Sequence, residues 1–444
     1  MKILLISTYE LGRQPFGLAS PAAWLRAVGS KVTCVDLACS VLPSSAVEEA
    51  DLAAFYLPMH TATRLAVPVI RKVRALNPGI RLCCYGLYAP MNETYLRGLG
   101  VETVLGGEFE QGLRDLAARL ENGDSAPQRE PLISLGRQSF LAPDRSGLPP
   151  LRRYAKLLAN GEEKLVGFTE ASRGCKHFCR HCPIVPVYNG TFRVVQQKVV
   201  LEDIRQQVAA GAQHITFGDA DFFNGPAHAA AIVAALHTEH PSVTYDVTIK
   251  IEHLLRHQDL LPMLKRTGCL FVTSAVESID DAVLEKLAKG HTRADFIQAV
   301  GIMRDTGLLL APTFVTFTPW TTRRGYRELL ELLVDLDLVE NVSPIQLAIR
   351  LLIPAGSLLL ELPEIREIVG PFDAAALSYR WRHGDPAVDQ LCTEVQGLIQ
   401  REERHKAGRA EIFAKIWELA HERTPDFHLA SRATIPYLNE PWYC

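Results

Sequence analysis

The 444-residue chain lacks any apolar run of the roughly 18–20 residues that a membrane-spanning helix requires. It lacks a strong charge bias. Its 47 Lys and Arg against 50 Asp and Glu leave a formal net charge of −3, which argues against a nucleic-acid or anionic-membrane binder. Ten cysteines are too few at this length for a disulfide scaffold. The opening MKILLIST is too short and too strand-like for a signal peptide, so the expected compartment is the cytoplasm. No G-x-G-x-x-G follows that first strand, which argues against a bound dinucleotide. Internal repeats and low-complexity segments are absent as well.

What is present is a chain that is 48% hydrophobic, enough for a sizeable core and for two or three domains. Apolar runs at 2–9, 31–38, 52–59, 81–88 and 101–107 alternate with helical patterns. That alternation predicts a Rossmann-like α/β domain over residues 1–122, with a parallel sheet buried on both faces. In such sheets ligands bind at the carboxyl ends of the strands. The polar, turn-rich ENGDSAPQREP opens a linker and wrap segment expected over 123–163. A second α/β series then supplies strand patterns at 165–172, 213–219, 243–250, 269–278, 308–317 and 344–353. Six units are fewer than a closed eight-fold barrel needs, so we expect a partial (β/α)6 barrel over 164–362. Residues 363–444 read as a helical region with an irregular tail.

The densest chemistry is GCKHFCRHC, residues 174–182, which follows the first barrel strand. Barrel enzymes keep their reactive groups on such loops. Cys175, Cys179 and Cys182 are spaced C-x3-C-x2-C. A zinc site would need a fourth ligand, which His177 or His181 could supply. Structural zinc, however, usually draws its cysteines in pairs from separate hairpins. A four-iron cluster saturated by protein needs four thiolates. Three cysteines leave one iron open to a ligand from outside the protein, and this reading is favoured.

The spacing and its position resemble the radical S-adenosylmethionine (SAM) superfamily, whose motif is C-x3-C-x2-C with an aromatic residue before the last cysteine. Here His181 holds that position. The resemblance implies a [4Fe-4S] cluster on Cys175, Cys179 and Cys182, and SAM on the open iron. It also implies reductive cleavage of SAM to methionine and a 5′-deoxyadenosyl radical. Phe178 and His181 are the rings of the loop placed for cofactor contact. In GDADFFNGP, Gly218 would allow close backbone approach, and Asp219 and Asp221 would accept from the methionine ammonium. The alternative for these acids is a helix N-cap. Glu277 is a candidate for the ribose hydroxyls. Lys250 and Arg350 are candidates for the SAM carboxylate, although an internal Asp or Glu would serve Arg350 as well. The implied partners are a small-molecule or peptide substrate and a reductant such as flavodoxin or ferredoxin, with no nucleic acid and no membrane.

A Rossmann-like domain before such a barrel resembles the cobalamin-binding radical SAM architecture, in which cobalamin lies between the two domains. Cobalamin-assisted methyl transfer is then a candidate reaction. YELGRQPFG, at 9–17, has no histidine where the D-x-H-x-x-G motif of some cobalamin proteins supplies a lower ligand. A narrower resemblance is to the CUAEP/CCAEP-tail radical SAM proteins. It rests on ELGRQPFGLASPAAWL, EASRGCKHFCRHCPIVPVYNG, GDADFFNGP, PTFVTFTPWTT, IRLLIPAGSLLL and NEPWYC. That family's tail continues with a second cysteine or selenocysteine and then Ala-Glu-Pro, which marks Cys444 as a candidate catalytic residue and the chain as a candidate selenoprotein. A different class of function, a zinc-stabilised Rossmann-like binding protein without radical chemistry, is the competing reading. The tail reading predicts an in-frame UGA after the Cys444 codon, followed by Ala-Glu-Pro codons. Sequencing the locus tests this, and UAA or UAG at that point rejects it.

Overall fold

The structure, a computed structural model, describes residues 1–124, 126–159, 161–425 and 436–439. Its first sheet comprises β1 (Lys2–Ser7), β2 (Lys31–Asp36), β3 (Leu52–Tyr56), β4 (Arg81–Tyr85), β5 (Thr103–Gly107) and the short β6 (Ile133–Ser134). Their order is β2-β1-β3-β4-β5-β6, and every neighbouring pair is parallel. The strands are apolar on both faces because each face is roofed by helices. Leu18, Leu25, Leu113 and Leu116 of helices Phe16–Ala27 and Phe109–Glu121 cover Ile3, Leu5 and Ala54. Ala66, Ile70 and Val73 of helix His60–Leu76 cover Leu4, Ile6 and Phe55 on the opposite face. Cys83 joins the first core and Cys84 the second, as strand alternation requires. The strand order reverses at β1, between β2 and β3, which is where an open α/β sheet forms a crevice.

The second sheet contains β7 (Lys156–Ala159) and β8 (Glu162–Thr169). After the short hairpin of β9 (Ser172–Gly174) and β10 (Phe192–Val194) come β11 (His214–Phe217), β12 (Thr244–Thr248), β13 (Cys269–Glu277) and β14 (Leu309–Phe314). From β8 to β14 the five main strands run parallel, each beside the next in chain order, and form a half-barrel. The expected sixth strand, 344–353, is reduced to a 3-10 turn at Pro344–Leu347 and a single parallel bridge between Phe317 and Arg350. Side chains replace the missing ladder. Gln346 Oε1 accepts from Phe314 N–H at 3.0 Å, and Asn341 Nδ2 donates to the Leu310 carbonyl at 2.6 Å.

The C-terminal region is mainly helical, with long helices at Pro386–Arg404 and Arg409–His421. It also contains a hairpin not expected from the sequence, β15 (Val369–Asp373) with β16 (Ser378–Trp381). The tail expected to be irregular adds an edge strand, β17 (Tyr437–Leu438), antiparallel to β7 and therefore running in the same sense as β8. No helix of the described residues is long and apolar enough to cross a membrane.

The two sheets meet at a buried ionic knot. The Arg173 guanidinium of β9 donates to Glu110 at 2.6 and 2.8 Å and to Glu170 at 2.6 Å, and lies 3.5 Å from Glu108. Phe16, Phe109 and Phe140 stack around it. Glu108 also accepts from the Tyr188 hydroxyl at 3.2 Å. Burial outweighs Arg173 at this carboxyl and lifts it from its ordinary 4.5 to about 7. Between these values the folded chain binds a proton that the unfolded chain has released, so this group's effect is to lower stability as pH rises through that window. Glu108→Gln should flatten this part of the profile. Thermal melts from about pH 5 to 7.5 test it, and an unchanged slope in the variant would contradict the assignment.

Candidate functional site

The cysteine loop leaves the carboxyl end of β8, frames itself with the β9–β10 hairpin, and ends in the short helix Val185–Tyr188. Gly174 opens it at φ +75°, and a Cβ there would lie 2.4 Å from both the Thr191 carbonyl and the Tyr188 ring. That position therefore requires glycine. Inside the loop, Cys175 N–H donates to Thr191 O at 3.2 Å and Cys182 N–H to Cys179 O at 3.0 Å. Arg180 fastens the loop to the end of helix Asp281–Lys286. Its backbone N–H reaches Leu287 O at 2.9 Å, and its guanidinium reaches the carbonyls of Glu285 and Lys286 at 3.1 and 2.9 Å. A cation capping free helical carbonyls is a favourable pairing.

Cys179 is buried, while Cys175 and Cys182 are half-buried. Burial pushes the Cys182 thiol up to about 12 and raises that of Cys175. The buried Lys250 places its Nζ 3.9 Å from Cys179 Sγ. Close by, one donor atom each of His177, Asp221 and His253 lie within 4.8 Å of one another.

On the opposite wall, Glu277 terminates β13 at a break in register with β14 and takes φ +68°. Left-handed backbone at a glutamate is uncommon and is retained where surrounding structure enforces it. Its Oε1 is 3.1 Å from His181 Nε2 and 3.4 Å from Lys289 Nζ. Burial alone would raise this carboxyl, but Lys289 and His181 overcome it and hold it at about 2. Glu277 is thus ionised at the mouth, beside the ring of His181.

The other expected contacts are largely engaged within the protein. Gly218 makes room for the Phe168 ring, which a Cβ would approach to 2.2 Å. Asp219 accepts from Ala171 N–H at 2.9 Å and from the Ser172 hydroxyl at 2.5 Å. Burial pushes it up to about 7 despite these donors. Asp221 caps the turn Phe222–Asn224 through Phe223 N–H at 3.2 Å, the N-cap alternative raised from the sequence, and turns its other oxygen toward His253 and His177. Arg350 pairs with Asp389 at 2.6 Å, donates to Trp381 O at 2.9 Å, and stacks 3.7 Å over the Trp381 ring. The internal acid foreseen for it is therefore Asp389. Phe178 is 52% exposed and lies over Gly190, so it projects from the loop. Cys444 lies outside the described residues.

Sequence reasoning missed Arg173, Lys289, Asn224 and His253. Asn224 Oδ1 accepts from Lys176 N–H at 3.2 Å and sits 3.9 Å from Cys175 Sγ. Its presence in the quoted GDADFFNGP was the available signal. His253, in IEHLL, carries no local motif that marks it.

Residues 169–333 match the family model for the Radical SAM superfamily. The chain therefore carries a radical SAM domain over that segment. The hopanoid C-3 methylase of Methylococcus capsulatus is 24% identical over 249 residues, 55% of this chain and 48% of the methylase. The anaerobic magnesium-protoporphyrin IX monomethyl ester cyclase of Synechocystis is 21% identical, covering 73% of this chain and 68% of the cyclase. The chain thus spans about half the length of the methylase. The cobalamin-dependent SAM radical enzyme OxsB, solved with aqua-cobalamin and SAM bound, superposes with a TM-score of 0.72 at 13% identity, over 95% of this chain and 71% of OxsB. The radical SAM methyltransferase TsrM from Kitasatospora setae, solved with cobalamin and a [4Fe-4S] cluster, gives 0.59 at 16% identity, over 76% and 70% of the respective chains. At these identities the likeness is one of fold.

Within the radical SAM domain, Asp219 serves as the internal brace of the cysteine loop. Asp219→Ala would leave the buried Ala171 N–H and Ser172 hydroxyl unpaired and cost about 1–3 kcal/mol, already in protein without any cofactor. Denaturant melts of the apoprotein check this. A change of under about 0.5 kcal/mol, typical of a neutral surface site, would show that the brace carries no load.

Proposed function

We propose that the protein is a radical SAM enzyme acting on a small molecule or peptide, with a [4Fe-4S] cluster on Cys175, Cys179 and Cys182. The supporting observation is the three-cysteine loop at the carboxyl mouth of the half-barrel, inside the matched family segment, with Lys250 against Cys179. The donor set fits the group. Three thiols on one loop can take three corners of a cubane and leave the fourth iron for SAM. When bound, the cluster and SAM supply a 5′-deoxyadenosyl radical for hydrogen abstraction.

The chain's own residues hold and orient. Arg180 fixes the loop against helix Asp281–Lys286, and Lys250 offsets thiolate charge. Glu277, ionised and braced by Lys289, offers acceptors for ribose hydroxyls, with His181 as the adjacent flat ring. In this reading the front domain is 1–122, the wrap 123–163, the half-barrel 164–362 and the helical region 363–444. The electron donor is a small cytoplasmic carrier of the flavodoxin or ferredoxin class.

A second reading adds cobalamin and methyl transfer. It is favoured by a cavity of about 1010 Å3 at the carboxyl ends of β1 and β2, the crevice where the sheet order reverses. Thr8, Tyr9, Ala38, Arg64 and Arg153 line it. Its lining includes no histidine, so a corrinoid there would be held without a histidine ligand from this wall. Chain purified from cells supplied with cobalamin should retain a corrinoid absorbance if this reading holds.

The core proposal is tested by anaerobic reconstitution with iron and sulfide. It expects a brown protein absorbing near ~400 nm with about four irons per chain, and reductant-dependent release of 5′-deoxyadenosine and methionine from SAM. Cys175→Ala, Cys179→Ala and Cys182→Ala should each abolish that release. Full cleavage by any of the three, or a colourless protein holding one tight zinc on these thiols, would overturn the proposal.

A further inference from the structure

Beside the cysteine trio, three donor atoms from three different elements face a common point. His177 comes from the loop, Asp221 from the turn after β11, and His253 from helix Ile251–Arg256 after β12. His177 Nε2, Asp221 Oδ2 and His253 Nδ1 all lie within 4.8 Å of one another. The Asp221 oxygen is 2.6 Å from His253 Nδ1 and 3.7 Å from His177 Nε2. Their side chains are 0%, 4% and 16% exposed for Asp221, His253 and His177.

None of the three atoms makes an aligned hydrogen bond. Buried polar atoms without partners cost about 1–3 kcal/mol each and call for an explanation. A proton shared by Asp221 and His253 would satisfy two and leave the His177 nitrogen bare. One cation satisfies all three.

We propose that His177, Asp221 and His253 bind one divalent transition-metal ion, separate from the cluster ligands. Two imidazoles and one carboxylate on one side of a point form a donor set suited to ferrous iron, zinc or cobalt, with further positions open. Bonds of about 2.0–2.2 Å place donors roughly 3–3.5 Å apart, so the observed separations need side-chain shifts of under about 1 Å. The outer supports are also present. Glu252 Oε2 lies 3.6 Å from His177 Nδ1, and Phe223 N–H holds the other Asp221 oxygen. Carboxylates behind metal-bound histidines orient the ring and raise its basicity. Lys250 is the nearby opposing charge, 3.7 Å from Glu252. Two carboxylates, Asp221 and Glu252, offset it.

The test separates this site from the cluster by removing the thiols. Tag-free full-length chain carrying Cys175→Ala, Cys179→Ala and Cys182→Ala is titrated anaerobically with Co2+, whose d–d bands are then free of cluster absorbance. One equivalent should bind without sulfur-to-cobalt charge transfer, and Zn2+ should displace it. Adding Asp221→Asn or His253→Gln should weaken binding at least about tenfold, with melting curves reporting whether each variant folds. Where one does not fold, His177→Gln on the loop gives the same reading. A parallel measurement uses the cluster-loaded native protein: metal analysis should find one bound zinc or cobalt beyond the cluster iron, lost in His253→Gln with the cluster spectrum unchanged. Failure of the thiol-free chain to bind Co2+ saturably, or equal affinity in folded Asp221→Asn and His253→Gln chains, would overturn the proposal. Either result leaves the cluster reading untouched.

Discussion

Arg173 is the residue on which the arrangement turns. It sits two positions before Cys175, is buried, and is gripped by carboxylates from both sides of the junction. Glu110 belongs to the front sheet's last helix and Glu170 to the loop after β8. A guanidinium taken out of water is tolerated only when its donors are filled, and here four close contacts to carboxylates fill them, two to Glu110 and one each to Glu170 and Glu108, with aromatic rings around it. Removing one partner of such a buried set typically costs about 3–5 kcal/mol. The first consequence would be local, because the start of the cysteine loop would lose its anchor to the front domain. The electrostatics that join the two sheets therefore also set where the thiols sit.

The same economy governs the acids near the mouth. Asp219 braces the start of the loop, Asp221 caps a turn and faces two histidines, and Glu108 and Glu110 serve Arg173. Among the carboxylates named from the sequence, Glu277 is the one held well below its ordinary range, by Lys289 and His181. Its strained backbone at the β13 register break aims it there.

Much of this was legible beforehand because it depends on period and punctuation. Continuous apolar runs identified the two parallel sheets, and C-x3-C-x2-C after a strand identified the loop. The sixth barrel strand misled because 344–353 is as apolar as a strand, whereas the hydrogen bonds it would have made go to Gln346 and Asn341 instead. Arg350 could be recognised as needing a partner, but choosing Asp389 over a ligand required the path of a helix far along the chain. His253 was silent for the same reason. A histidine in an amphipathic helix carries no local mark, and its meaning arises only when the turn after β11 brings Asp221 to 2.6 Å.

The thiols set the terms of assembly. A Cys182 thiol pushed to about 12 is protonated at neutral pH, yet both iron and zinc take thiolate, so metal entry must expel protons from this loop. Lys289 eases that change without completing it, since Cys182 remains high with Lys289 nearby. The full compensation has to come from the metal's own charge. Metal loading is therefore coupled to proton release from these thiols, and is more favourable as pH rises toward the thiol range. The Arg173 knot and the Arg180 clamp anchor the cysteine loop through contacts within the polypeptide itself.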